Sequence, residues 1–215
     1  MLKVFPKKVI YEAVSPISGK VEVIDGLHGL ELHINGATQT VKMQKNKRPN
    51  YWEIAADLID ISQHSKVLLL GLGGGEIVRL LLNKMPNLDI TVVELDPLII
   101  DIYKRYFKEP KQNPKIISAD AHEYVLNLKE KFDLIFTDIY FRDSFPKEFL
   151  EEAFLTKVSA SLTSQGTYVY NCVINDFDAK KRTKKLEQIF KEFFKEVAYK
   201  RVSQNLLNYL FFASN

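Results

Sequence analysis

The chain has 215 residues, 46% of them hydrophobic, and its 30 basic and 27 acidic side chains leave a formal charge of +3. This is the balance of an ordinary folded protein, and so weak a basic excess does not call for a nucleic-acid partner. No stretch approaches the roughly 20 uninterrupted apolar residues of a membrane span, and a single cysteine, Cys172, excludes an internal disulfide framework.

The N-terminal "MLKVFPKKVIYEAV" has apolar runs too short for a signal peptide, so with one free thiol a cytoplasmic location is expected. Residues 8–41 then read as strands. "KVIYEAV", "KVEVID" and "LELHI" alternate apolar and polar residues, separated by turn signals at "SPISG", Asp25-Gly26 and Asn35-Gly36. They predict a small antiparallel meander, which is marginal alone and must pack on something else. The basic clusters at 42–50 and 179–188 read as a solvated loop and a solvated helix face, because no nucleic-acid motif accompanies them.

From Tyr51 the period changes. "YWEIAADLIDI" has helical spacing, with Trp52, Ala55, Leu58 and Ile59 on one face. Strands are predicted at 67–71, 89–94, 115–118, 133–138 and 166–172, and helices at 75–84, 97–107, 121–129 and 146–162. A helix at 179–193 and two closing strands, "KEVAYKRV" and "NLLNYLFFA" with Asn205 at the turn between them, complete the chain. Alternation of this kind predicts an α/β fold: a Rossmann-like seven-stranded sheet, parallel except for a terminal antiparallel pair. Two regions follow, a β-meander over 1–48 and a Rossmann-like domain over 49–215.

Open α/β sheets bind ligands beyond the carboxyl ends of their strands, so the residues there are the candidates. In chain order they are the turn Gly71-Leu72-Gly73-Gly74-Gly75, then Glu94, Asp120, Asp138 and Asn171. Glycines let a ligand approach the backbone closely. A carboxylate at Glu94 can accept from both ribose hydroxyls, and Asp120 can accept from an adenine amino group. Each has a plainer reading: glycines suit any tight turn, and Glu94, Asp96 or Asp120 can cap the following helix. Their order, each at its own strand end, is what favours a nucleoside site.

A pyrophosphate-binding turn has the spacing G-x-G-x-x-G and a helix N-terminus free for an anion. Here the last glycine is replaced by Glu76, whose charge opposes a pyrophosphate. Sulfonium nucleosides carry no phosphate and avoid that conflict, so NAD is disfavoured. A favourable contact with the helix dipole also explains an acid at that place. His28, His33, His64 and His122 lack metal-ligand spacing, and no metal is expected.

The run "VLLLGLGGGEIVRLLL", "ITVVELDPLIIDIYKRYF", "IISADAHEYV" and "FDLIFTDIYF" is shared in large part with methyltransferases. Together with "ISGKVEVID", "LELHINGATQT", "NYWEIA" and "SQGTYVYNCV" it resembles the polyamine aminopropyltransferases, the spermidine synthase family, and within it a short spermidine-synthase-like branch. The resemblance implies transfer of an aminopropyl group from decarboxylated S-adenosylmethionine to an amine such as putrescine, in polyamine biosynthesis. It implies Asp138 as the general base. Gly71, Gly73, Gly75, Glu76, Glu94, Asp120, Ala121 and Gln39 are implied to hold the donor, and Tyr51, Tyr140 and Asp143 to line the acceptor site. A small-molecule amine partner and a homodimer are implied, with no membrane.

Two departures bear on the donor and acceptor. The family usually has an Asp inside the glycine turn, pairing with the donor's terminal ammonium, where this chain has Gly74. A second acid three residues after the catalytic one is replaced by Phe141, with Asp143 as the candidate substitute. If Glu76 points into the site it replaces the missing acid and repels the carboxylate of intact S-adenosylmethionine; if it points to solvent that preference vanishes. The alternatives are therefore a class I S-adenosylmethionine-dependent methyltransferase and a non-catalytic nucleoside-binding homologue.

Overall fold

The computed structural model describes residues 7–26, 29–42, 51–139, 146–174, 179–203 and 207–215. The meander forms as expected. Strands β1 (Lys8–Ser15), β2 (Gly19–Gly26), β3 (Gly29–Ile34) and β4 (Ala37–Val41) pair in sequence order as an antiparallel sheet. Asn35 and Gly36 both have positive φ in the β3–β4 hairpin, as an Asn-Gly turn requires. The boundary expected near residue 48 lies outside the described residues.

The larger sheet has the order β10-β11-β9-β8-β5-β6-β7. Its strands are β5 (Lys66–Leu70), β6 (Asp89–Glu94), β7 (Lys115–Ser118), β8 (Phe132–Thr137), β9 (Leu162–Val173), β10 (Glu196–Ser203) and β11 (Leu207–Ser214). β9, β8, β5, β6 and β7 run parallel, β11 is antiparallel to β9, and β10 antiparallel to β11. The β10–β11 connection, including Asn205, lies outside the described residues.

Helices cover both faces. They are α1 (Tyr51–Leu58), α2 (Glu76–Lys84), α3 (Pro97–Ile102), α4 (Ala121–Leu126), α5 (Glu152–Ala160) and α6 (Ala179–Lys191). Among the described residues none is long and apolar enough to cross a membrane. Val67 to Leu70 are all buried because β5 is central, and successive residues feed opposite layers. Val67 and Leu69 join a core with α1, α2, α3 and the meander's Val21, Val23 and Leu32, whereas Leu68 and Leu70 face Val125, Phe154 and Phe190 on the other side. The meander thus buries its apolar face in one of the two cores of the main sheet.

Two predicted helices change form. The one expected over 97–107 is α-helical only to Ile102 and continues as a π-helical turn over Tyr103–Phe107. The one expected over 146–162 becomes a 3-10 turn, Lys147–Leu150, an extended Glu151, and then α5. In the first, the Tyr103 ring packs under the glycine turn, so close that a Cβ on Gly75 would lie 2.3 Å from it. That fit leaves the Tyr103 hydroxyl buried without a hydrogen-bond partner among the described residues. An unsatisfied buried polar group costs about 1–3 kcal/mol. Tyr103→Phe is therefore expected to leave unfolding stability in urea unchanged or raise it by up to about 1 kcal/mol. A loss beyond about 1 kcal/mol would reveal a partner for the hydroxyl.

Candidate functional site

Sheet register assembles the site. Leu70 pairs with Val93 on one side and Thr137 on the other, and Thr137 pairs with Tyr170. The next residue on each strand is Gly71, Glu94, Asp138 and Asn171, so four adjacent strands present these at one level. Asp120 follows β7 at the same edge. All five line one cavity of about 1030 Å³, which also takes in Gln39, Tyr51, Gly73, Gly75, Glu76 and Ala121. The cavity lies where β6 and β8 leave opposite sides of β5, a switch point of the winding. Tyr140 and Asp143 lie outside the described residues, as does Phe141.

At the end of β5 the chain turns with positive φ at Gly71, Gly73 and Gly75. Gly71 is required by contact as well, since a Cβ there would meet the Asp138 carbonyl oxygen at 2.4 Å. Gly74 has a different reason. The Thr40 side chain fills the space a side chain would need, with Cγ2 only 2.6 Å from a Cβ, and its hydroxyl accepts from the Gly74 N–H at 2.8 Å. β4 therefore occupies the place beside the turn where the family resemblance implied an acid. Sequence reasoning chose the neighbouring Gln39, which also lines the cavity, and missed Thr40.

Glu76 lines the cavity but is not a free acid there. The side chain is buried rather than solvent-facing, but both carboxylate oxygens are held by Arg79, at 2.8 Å from Nε and 2.6 Å from Nη2. A bidentate pair of this kind neutralises the charge and fixes the carboxylate. The missed partner had a signal, the three-residue spacing of Glu and Arg on one helix.

Glu94 accepts from the Leu72 N–H at 3.0 Å and from the Asp96 N–H at 2.9 Å. Burial pushes its carboxyl above the usual range, opposed by those backbone bonds. It thus ties the glycine turn to the start of α3 while retaining lone pairs for a ligand's hydroxyls. Asp96 caps α3 through the Leu98 N–H and accepts from the Ser15 hydroxyl at 2.5 Å, linking the meander to this corner. Asp120 caps α4 by accepting from the Glu123 N–H at 3.0 Å, so the helix-capping reading holds, and it lines the cavity besides.

Asp138 is half-buried and shared by two neutral donors. Asn171 Nδ2 donates to Oδ1 at 2.7 Å and the Tyr51 hydroxyl donates to Oδ2 at 2.9 Å, while the nearby Trp52 side chain also favours the ionised form. Burial raises the carboxyl above its ordinary range despite these bonds. Tyr51, partly buried beside that negative charge, is pushed well above the usual phenol range by desolvation and remains a donor. Among the described residues no cation touches Asp138. A partly buried carboxylate with donors but no counter-charge favours a cationic partner. Asn208 completes the group by donating to Asn171 Oδ1 at 3.0 Å, a contact that sequence reasoning did not anticipate.

A seven-stranded sheet with this order and glycine turn is the fold common to spermidine synthases and S-adenosylmethionine-dependent methyltransferases. The chain belongs to the spermine/spermidine synthase domain family, whose model matches residues 53–212. Among curated proteins it is similar to the polyamine aminopropyltransferase of Vibrio vulnificus (strain CMCP6), 31% identical over 120 residues, 54% of this chain and 40% of that one. It is also similar to the eEF1A lysine and N-terminal methyltransferase of Danio rerio, 30% identical over 125 residues, 53% of this chain and 18% of that one. A probable spermidine synthase from Corynebacterium glutamicum ATCC 13032 shares the fold, with a TM-score of 0.78 at 20% identity over 98% of this chain and 80% of that one. The match spans less than half the length of either curated relative.

Proposed function

We propose that the chain is a transferase that moves an aminopropyl group from decarboxylated S-adenosylmethionine to an amine such as putrescine, with Asp138 as general base. The observation that carries this reading is the Asp138 carboxylate, half-buried in the cavity wall, bonded among the described residues only to neutral donors, and level with the glycine turn and Glu94. An alkylamine near neutral pH is an ammonium and has no lone pair to attack with. The uncompensated carboxylate attracts that cation, orients it, and takes one proton. The freed nitrogen lone pair then forms a bond to the methylene carbon on sulfur as the C–S bond breaks, and the sulfonium leaves as a neutral thioether. On this reading Glu94 and Asp120, on the far side of β5, accept from the ribose hydroxyls and the adenine amino group, which their lining of the same cavity supports.

A second reading, methyl transfer from intact S-adenosylmethionine to an amine, is favoured by the surroundings of the glycine turn. Thr40 fills the place beside Gly74, and Arg79 neutralises Glu76. Neither position 74 nor Glu76 then offers an unpaired acid to select a bare ammonium tail or repel a carboxylate. The similarity to the eEF1A methyltransferase supports the same reading. The test is to incubate the chain with putrescine and each donor and identify products by mass. Methylthioadenosine with an aminopropylated amine is the expected outcome. S-adenosylhomocysteine with a methylated amine would replace the first reading by the second, and neither product would leave a nucleoside-binding homologue.

A further inference from the structure

A primary amide has two unlike ends, an N–H₂ that only donates and a carbonyl that only accepts. Asn171 is 6% exposed and sits between Asp138 and Asn208, so which end faces Asp138 decides whether the contact attracts or repels a carboxylate. Register explains why Asn208 is there. Asn171 lies opposite Leu210 in the antiparallel β9–β11 pair, and Asn208, two residues earlier, is its diagonal neighbour on the same face. Asn208 donates Nδ2 to Asn171 Oδ1 at 3.0 Å, leaving Asn171 Nδ2 to reach Asp138 Oδ1 at 2.7 Å.

We infer that Asn208 is a positioning residue for the transfer reaction, locking the Asn171 amide so that it can only donate to Asp138. The inference rests on the reading of Asp138 as the base. With Asn208 in place, turning Asn171 over sets its carbonyl against the carboxylate and its N–H₂ against the Asn208 donor, two repulsive contacts inside a buried network. Without Asn208 that barrier falls, and a turned Asn171 favours the protonated acid, which is inert as a base. The other titratable group bonded to Asp138 is Tyr51 from α1. β9 and β11 contribute only the two amides. Among the described residues, Glu94, Asp120, Glu31, Lys7, Glu148 and the Arg79-paired Glu76 are the more distant charged residues of the cavity wall, common to every variant below.

The test is a carboxyl ¹³C NMR titration of the full chain labelled at aspartate Cγ, with the Asp138 signal assigned by its absence from Asp138→Asn. Asn208→Leu, close in volume but without a donor, is expected to move the Asp138 midpoint up by about one pH unit. The acid limb of kcat/KM should move with it. Asn208→Ser, which keeps a hydroxyl donor, is expected to stay nearer the wild-type midpoint. Should Asn208→Leu not fold, Asn208→Ala against Asn208→Ser makes the same comparison. An unmoved midpoint in the donor-less variant, or equal shifts with and without a donor, overturns the role. Absence of turnover in the unmodified chain would instead count against the transferase reading, and the NMR comparison would still decide what Asn208 does.

Discussion

Asp138→Asn is expected to reduce transfer by about 1,000-fold or more, within the range general-base catalysis supplies, while nucleoside affinity stays near its original value. The substitution keeps the shape and an acceptor for Asn171 but removes the charge that draws in an ammonium and the site that receives its proton. Single-turnover rates check the first half and calorimetry with methylthioadenosine the second. More than about a tenth of the original rate would remove Asp138 from the role of base. A stability change of opposite sense accompanies the lost activity. Burial raises the Asp138 carboxyl in the folded state. Between its unfolded and folded midpoints the folded chain holds the extra proton, so stability falls as pH rises through that window and stays lower above it. The neutral amide of the variant carries no such penalty. The variant is expected to unfold at a higher temperature than the original near pH 7, with the advantage shrinking as the pH is lowered through the carboxyl's titration. The same raised midpoint places the acid limb of kcat/KM above the ordinary carboxylate range.

How far the site could be read from sequence depended on the range of the forces that build it. Gly71, Glu94, Asp120 and Asp138 were legible because each ends a strand whose apolar period is local, and parallel register then brings the ends level. The Glu76–Arg79 pair was equally local, three residues apart on one helix turn, and was overlooked only because the glycine turn drew the carboxylate into a ligand argument. Thr40 and Asn208 are different. Their partners lie 34 and 37 residues away in sequence, and nothing in "ATQTV" or "LNYLFF" marks which side chain will face the crevice until the sheets are paired. The helix boundaries failed for a related reason. Helical spacing continues past Ile102, but the fit of the Tyr103 ring against Gly75 belongs to packing between elements. β9 likewise begins earlier than its apolar pattern, at Leu162. Gly166, where a Cβ would lie 2.8 Å from the Phe132 carbonyl oxygen, marks the close passage of β8 in that region.

The nucleoside half of the site has its own decisive substitution. Glu94→Gln is expected to weaken every adenine nucleoside by about 100-fold, whichever tail it carries, because two hydrogen bonds from ribose hydroxyls to a charged acceptor are together worth about 3 kcal/mol. Tail independence distinguishes this role from general damage to the glycine turn, which on the proposed reading lies against the tail and would alter methylthioadenosine and the sulfonium donors unequally. Both carboxylate oxygens already accept backbone N–H groups, from Leu72 and Asp96. In the glutamine one of those N–H groups faces an amide N–H₂, so a modest loss of thermal stability accompanies the loss of affinity. The pH dependence follows from burial, which holds the Glu94 carboxyl above its usual range. Affinity requires the ionised form, so it is expected to be full above the folded-state midpoint and to fall as pH drops through it, while the glutamine variant stays weak and flat across the same interval. Calorimetric titrations with methylthioadenosine at a series of pH values make the comparison. Parallel curves for the two proteins would mean that the ribose is held elsewhere and that Glu94 serves only to tie the glycine turn to the start of α3.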